Sequence, residues 1–160
     1  MHAYHLAVAD IGRGEMGKNN AGPWLVEQVR PFDGTGSKAD SDGAWCASWE
    51  SAKYMIAWRH ACELFEMELR LGFKTTRSAL TLGDRLGKCG IEINDLTEVR
   101  EGDTFYMPRD GGGHTGFCRG PASGLWLPTL EGNVGKYPAL VQSMKRKVST
   151  PGLYVVRYGG

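Results

Sequence analysis

Apolar positions spaced by three, four and seven run through the chain up to about residue 90, and short β-forming runs separated by Gly and Pro follow. The longest periodic stretch is Ala44 to Phe65, where Trp45, Trp49, Ala52, Met55, Ile56, Cys62 and Phe65 mark one face. Trp58 and Ala61 widen that face, which predicts a central and well-buried helix. A second helix is predicted over Thr76 to Lys88, ending at Gly90. Upstream, His2 to Arg30 carries helical signals on either side of a loop. Leu6, Val8, Ala9 and Ile11 supply apolar surface before Gly12-Arg13-Gly14. The run from Gly17 to Pro23 reads as a turn, and Pro23 suits the first turn of a helix over Trp24 to Arg30. Pro31 to Gly43 is a polar loop ending in Asp40-Ser41-Asp42-Gly43, good residues for starting a helix.

Beyond residue 90 the pattern changes. Glu98 to Met107 contains a turn at Glu101-Gly102-Asp103 and then Phe105-Tyr106-Met107. Thr115 to Arg119, Gly124 to Leu130, Leu140 to Val148 and Leu153 to Tyr158 are rich in β-formers. Helices first and an antiparallel sheet after predict an α+β fold, with N-terminal helices packed on a C-terminal sheet. No repeat, linker or low-complexity tract interrupts residues 1–160, so a single domain is expected.

Composition narrows the function classes. A net charge of +1 argues against a nucleic-acid partner. The basic run Lys145-Arg146-Lys147 reads as a solvated strand edge or loop; the sharper reading is a patch for an anionic polymer such as the cell wall. Residues 1–10 lack the apolar core of a signal peptide and no window is long enough for a membrane helix. Synthesis in the cytoplasm without stable membrane insertion is therefore expected. The four cysteines, Cys46, Cys62, Cys89 and Cys118, are separated by 16, 27 and 29 residues, which fits no zinc motif. Four reduced thiols are expected, and no metal or cofactor.

Three local features carry chemistry. Trp45-Cys46-Ala47-Ser48-Trp49 puts Cys46 at the start of the central helix, where the helix dipole favours a thiolate, the attacking form; packing is the plainer reading. Cys62, expected to be buried within the helix, lacks that help. Gly111-Gly112-Gly113-His114-Thr115-Gly116-Phe117 puts His114 at the start of an apolar strand, with glycines that leave space beside the ring for a substrate chain. His2 and His5 lie near the terminus, and His60 is roughly 21 Å along the helix axis from Cys46. Leu130-Glu131-Gly132-Asn133 places Glu131 and Asn133 at the same parity of an extended segment, so both can face one side. Either could orient a base histidine; a hairpin turn at Gly132 is the alternative.

A cysteine heading a helix, a Gly-His opening a strand and a polar residue on the next strand resemble the NlpC/P60 and CHAP superfamily of papain-like cell-wall hydrolases. The resemblance rests on Trp45-Cys46-Ala47, Gly113-His114-Thr115-Gly116-Phe117 and Leu130-Glu131-Gly132-Asn133. Supporting segments similar to phage-associated members are Glu15 through Asn19-Asn20-Ala21-Gly22-Pro23, and Val99-Arg100-Glu101-Gly102-Asp103-Thr104-Phe105-Tyr106. It spans residues 5–158. Two departures stand out. Arg100-Glu101 replaces the usual proline before Gly102-Asp103, and Asp40 and Asp42 do not match the calcium pattern of some CHAP domains.

The resemblance implies a papain-like fold and a peptidoglycan hydrolase that cleaves an amide bond of the stem peptide. Cys46 would be the nucleophile, His114 the base, Glu131 the orienting group, and Asn133 a second orienting group or a substrate contact. Trp45, Trp49 and Trp126 are either core packing or groove lining. A monomer released by a partner pore (a holin) or carried by a delivery system, acting at the cell wall or periplasm, fits a phage endolysin, an antibacterial effector or a virion-borne hydrolase. Two rival classes stay open. One is another thiol hydrolase or acyltransferase on the same scaffold; the other is a non-catalytic virion or wall-binding module.

Overall fold

The computed structural model describes residues 3–17, 19–32, 45–65, 72–109 and 112–158, with the Phe65 side chain left out. Most of the expected loop at 31–43, including Asp40 and Asp42, lies outside them, as do His2, Lys18, Ala44 and Gly111. The protein is α+β: among the described residues, three α-helices, α1 (Ala3–Val8), α2 (Cys46–Phe65) and α3 (Ala79–Cys89), accompany one sheet. Its strands are β1 (Ile91–Ile93), β2 (Thr104–Arg109), β3 (Gly112–Cys118), β4 (Trp126–Val134), β5 (Leu140–Lys147) and β6 (Tyr154–Arg157). They form a six-stranded sheet in the order β1-β6-β2-β3-β4-β5, and every pair is antiparallel.

Helix α2 is central, as its length and apolar content predict, but not with one buried face. All residues from Trp45 to Tyr54 are buried, whereas Met55 to Trp58 and Cys62 are half-buried and Arg59 and His60 exposed. Its first turns are enclosed on every side, and their polar groups therefore need partners. Trp49 Nε1 donates to Asp10 Oδ2 at 2.9 Å, and Asp10 is ion-paired with Lys53. Glu15 accepts from Trp45 Nε1 at 3.2 Å and from the backbone N–H groups of Asn20 and Ala139, both at 2.8 Å. One buried carboxylate thus ties the N-terminal segment, the start of α2 and the approach to β5 together.

Helix α3 follows its pattern: Ala79, Leu82, Gly83 and Leu86 are buried, Ser78 caps the start and Gly90 closes the end. The expected helix at 24–30 is a π-type turn, Leu25–Val29, followed by the 3-10 turn Arg30–Phe32. Strand β1 had no sequence signal because it is three residues long with Ile91 and Glu92 exposed. Core residues lie on both sides of the sheet. Phe117, Leu130, Tyr106 and Val156 pack with the helices, and Phe105, Met107, Cys118, Leu127 and Val155 form a second cluster.

Candidate active site

Strand β3 pairs with β2 along its length, from Gly112 to Phe117, but with β4 only at Phe117 and Cys118. Over residues 112–116 the β4-side edge of β3 is therefore unpaired. Backbone groups of Thr115 and Ala47 hydrogen-bond to the Cys46 sulfur, which brings the start of α2 against that edge. Beyond Glu131, β4 runs over the same turn of helix: a Cβ on Gly132 would lie 2.8 Å from Trp45 and 3.0 Å from Trp49. Only glycine lets the strand pass so close to the two indoles.

His114, 3% exposed, sits next along the chain to Thr115 and carries a hydrogen bond from ring to carboxylate: Nε2 lies 2.7 Å from Glu131 Oε2. Glu131 is fully buried, and a carboxylate can only accept, so Nε2 bears the proton and Nδ1 keeps its lone pair. Arg146 Nε donates to Glu131 Oε1 at 2.8 Å and its Nη2 to Oε2, while the Thr129 hydroxyl donates to Oε1. Burial pushes the Glu131 carboxyl up, but His114, Arg146 and Thr129 outweigh it and hold it at about 2. Burial pushes His114 below its usual value against the pull of Glu131, and the charges of Arg109 and Arg146 push the same way as burial.

Cys46 departs from expectation. It heads α2, but it is 3% exposed, and burial raises its thiol to about 11 despite the backbone groups of Thr115 and Ala47. The helix start does not lower the thiol because desolvation of a buried charge outweighs the dipole. No hydrogen bond joins Cys46 to His114 among the described residues; at neutral pH the two are a neutral thiol and a neutral imidazole.

Glu50, one turn beyond Cys46 and fully buried, carries no local signal in the sequence. Thr104 and Thr115 hydroxyls lie 2.7 and 2.6 Å from its two oxygens, and Tyr54 Oη is 2.7 Å from Thr104. The Thr115 hydroxyl also lies 2.8 Å from the Phe105 carbonyl, so its single proton faces two acceptors. A protonated Glu50 resolves the conflict by donating to Thr115, which then donates to Phe105. Burial raises the Glu50 carboxyl to about 7, with the two threonines opposing.

The structure thus brings Cys46, His114 and Glu131 to one region, and Asn133 follows Glu131 across an irregularity in β4. An extra residue in β4 shifts the register between Glu131 and Val134, and Asn133 takes φ +62°. That bulge breaks the parity that would have put Asn133 on the face of Glu131. Asn133 is half-buried and makes no hydrogen bond to His114. Gly132 lies within β4, not in a hairpin turn. The glycine before His114 leaves no open space: a Cβ on Gly113 would meet the Tyr106 ring at 2.4 Å. Trp45 and Trp49 are fully buried core residues, and only Trp126 is exposed, with Lys147 Nζ 5.9 Å from its ring centre.

Lys145 and Lys147 are exposed as expected, but Arg146 turns inward onto Glu131. Cys118 is buried, Cys62 half-buried rather than buried, and Cys89 exposed. An open depression lined by Arg119, Pro128, Ser143, Met144 and Lys145 contains none of Cys46, His114 and Glu131. No helix among the described residues is long and apolar enough to cross a membrane. No family model matches the chain, and neither a curated protein nor a solved structure matches it.

Proposed function

We propose that this protein is a cysteine hydrolase on a papain-like scaffold that cleaves an amide bond of peptidoglycan, with Cys46 as nucleophile and His114 as base. The observation that carries this reading is the His114–Glu131 hydrogen bond, 2.7 Å long and buried, on the strand whose next residue meets the Cys46 sulfur. A base histidine needs one nitrogen held and the other free, and Glu131 holds Nε2. Nδ1 then takes the thiol proton as the sulfur attacks, since both groups rest neutral. Backbone N–H groups at the start of α2 offer a place for the oxyanion, and the imidazolium returns its proton to the leaving amine. Water then releases the acyl group from the thioester. Arg109, exposed at the end of β2, sets a positive charge that acts on both Cys46 and His114, which suits a substrate bearing carboxylates.

The setting inferred from the motif resemblance is a phage endolysin, an effector or a virion-borne hydrolase acting at the cell wall. One observation favours a second reading, a wall-binding module without turnover: Cys46 and His114 are each 3% exposed and the thiol is protonated at rest. The two separate in digests of purified sacculi by wild type and Cys46→Ala, read by mass spectrometry. The hydrolase reading expects defined stem-peptide fragments from wild type and none from the variant. Fragments from neither protein, with sacculi still pulled down by both, would establish the binding module instead.

A further inference from the structure

We propose that Arg146 is the positioning residue of this site, its guanidinium gripping both oxygens of Glu131 so that the carboxylate stays aimed at His114. The contact is a fork: Nε donates to Oε1 at 2.8 Å and Nη2 to Oε2, and the side chain is only one-fifth exposed. It comes from the edge strand β5, four residues away in register from Gln142, the partner of Glu131. Alternation along β5 puts Arg146 on the face of Leu127, Thr129 and Glu131, and puts its like-charged neighbours Lys145 and Lys147 on the other. The run Lys145-Arg146-Lys147 is therefore one internal cation between two surface ones.

The arrangement does two things. It satisfies Glu131: with Thr129 on Oε1 and His114 on Oε2, each oxygen receives two donors, so the carboxylate cannot swing. It also divides the carboxylate's charge between a guanidinium and an imidazole. The groups facing His114 are Glu131 from β4, Arg146 from β5 and Arg109 from β2, with Cys46 and Glu50 on α2 beyond Thr115. Burial keeps His114 a neutral base; of these groups Glu131 pulls it towards the imidazolium, and Arg109 and Arg146 oppose that pull.

The catalytic meaning rests on the hydrolase reading; the positioning claim is measured without substrate. In protein labelled with 15N-histidine, His114 is identified by its loss in His114→Gln and titrated by NMR. In Arg146→Gln the midpoint of His114 is expected to rise by about one unit, because Glu131 is no longer shared. Lys145→Gln and Lys147→Gln are expected to leave it in place. An unmoved midpoint in Arg146→Gln, or an equal shift in the lysine variants, overturns the proposal. If Arg146→Gln fails to fold, Arg146→Lys decides: it keeps the charge without the fork, so the Nε2 proton is expected to exchange with water about tenfold faster or more. Unchanged exchange overturns the proposal. Where sacculi are cleaved, the acid limb of the kcat/KM profile moves with the midpoint; where they are not, the NMR result still stands.

Discussion

At the residue scale, Cys46 shows how burial and a helix dipole compete. The dipole acts on any group at a helix start, but a buried sulfur against the backbone of Thr115 has lost its water, and desolvation outweighs the dipole. The thiol at about 11 leaves on the order of one part in 10⁴ as thiolate at pH 7. Alkylation followed at the Cys46 peptide is therefore expected to be slow at pH 7 and to rise about tenfold per pH unit towards pH 10. The measurement belongs in a Cys89→Ser background, because Cys89 is exposed and consumes reagent. A rate that is fast and flat from pH 7 to 9 would contradict the neutral-thiol account.

At the element scale, the start of α2 is placed by what presses on it. Trp45 and Trp49 are held by Glu15 and Asp10, and Gly132 of β4 rests on their rings. Gly132→Ala adds a methyl 2.8 Å from Trp45, so strand and helix must separate. A loss of about 1–3 kcal/mol is expected, which lowers Tm by about 2–4 °C per kcal/mol in a chain of this size. Gly87, inside α3 with nothing within 4 Å of an added Cβ, is the contrasting site. Gly87→Ala is expected to raise stability by up to about 1 kcal/mol through helix propensity. Equal melting of the two variants would mean that β4 is free to back away from α2.

At the scale of the whole molecule, two buried carboxylates of opposite character hold elements together: Glu50 joins α2 to β2 and β3, and Glu131 joins β3, β4 and β5. Glu131, held at about 2, contributes stability that is present above its unfolded value near 4.5 and lost as pH falls through about 2. Glu50, raised to about 7, contributes stability that is full below about 4.5 and lost as pH rises through about 7. Melting temperature is thus expected from these two groups to peak near pH 4.5 and to decline towards pH 7. Glu50→Gln keeps the shape and removes the charge, so its Tm is expected to stay flat from pH 6 to 8 where that of wild type declines. A variant that declines in parallel with wild type would show that another group carries the effect.

Much of this was legible along the chain because it depends on local order. Apolar period and capping residues set α2 and α3 within three residues of their observed bounds, and β-forming runs located β2 to β6. Cys46, His114 and Glu131 were legible as chemistry because each stands at a conspicuous local junction. What the sequence could not express is how β3 and β4 splay and what then fills the gap. The bulge that breaks the parity of Glu131 and Asn133, the burial that protonates Cys46 and the buried Glu50 beneath Thr115 arise from contacts between distant segments. Arg146 is the mixed case: strict alternation in β5 already separates it from Lys145 and Lys147, but only the packed sheet shows which face is the interior. Periodicity determines which side chains share a face; tertiary packing decides which face loses its water, and with it every charge state at the site.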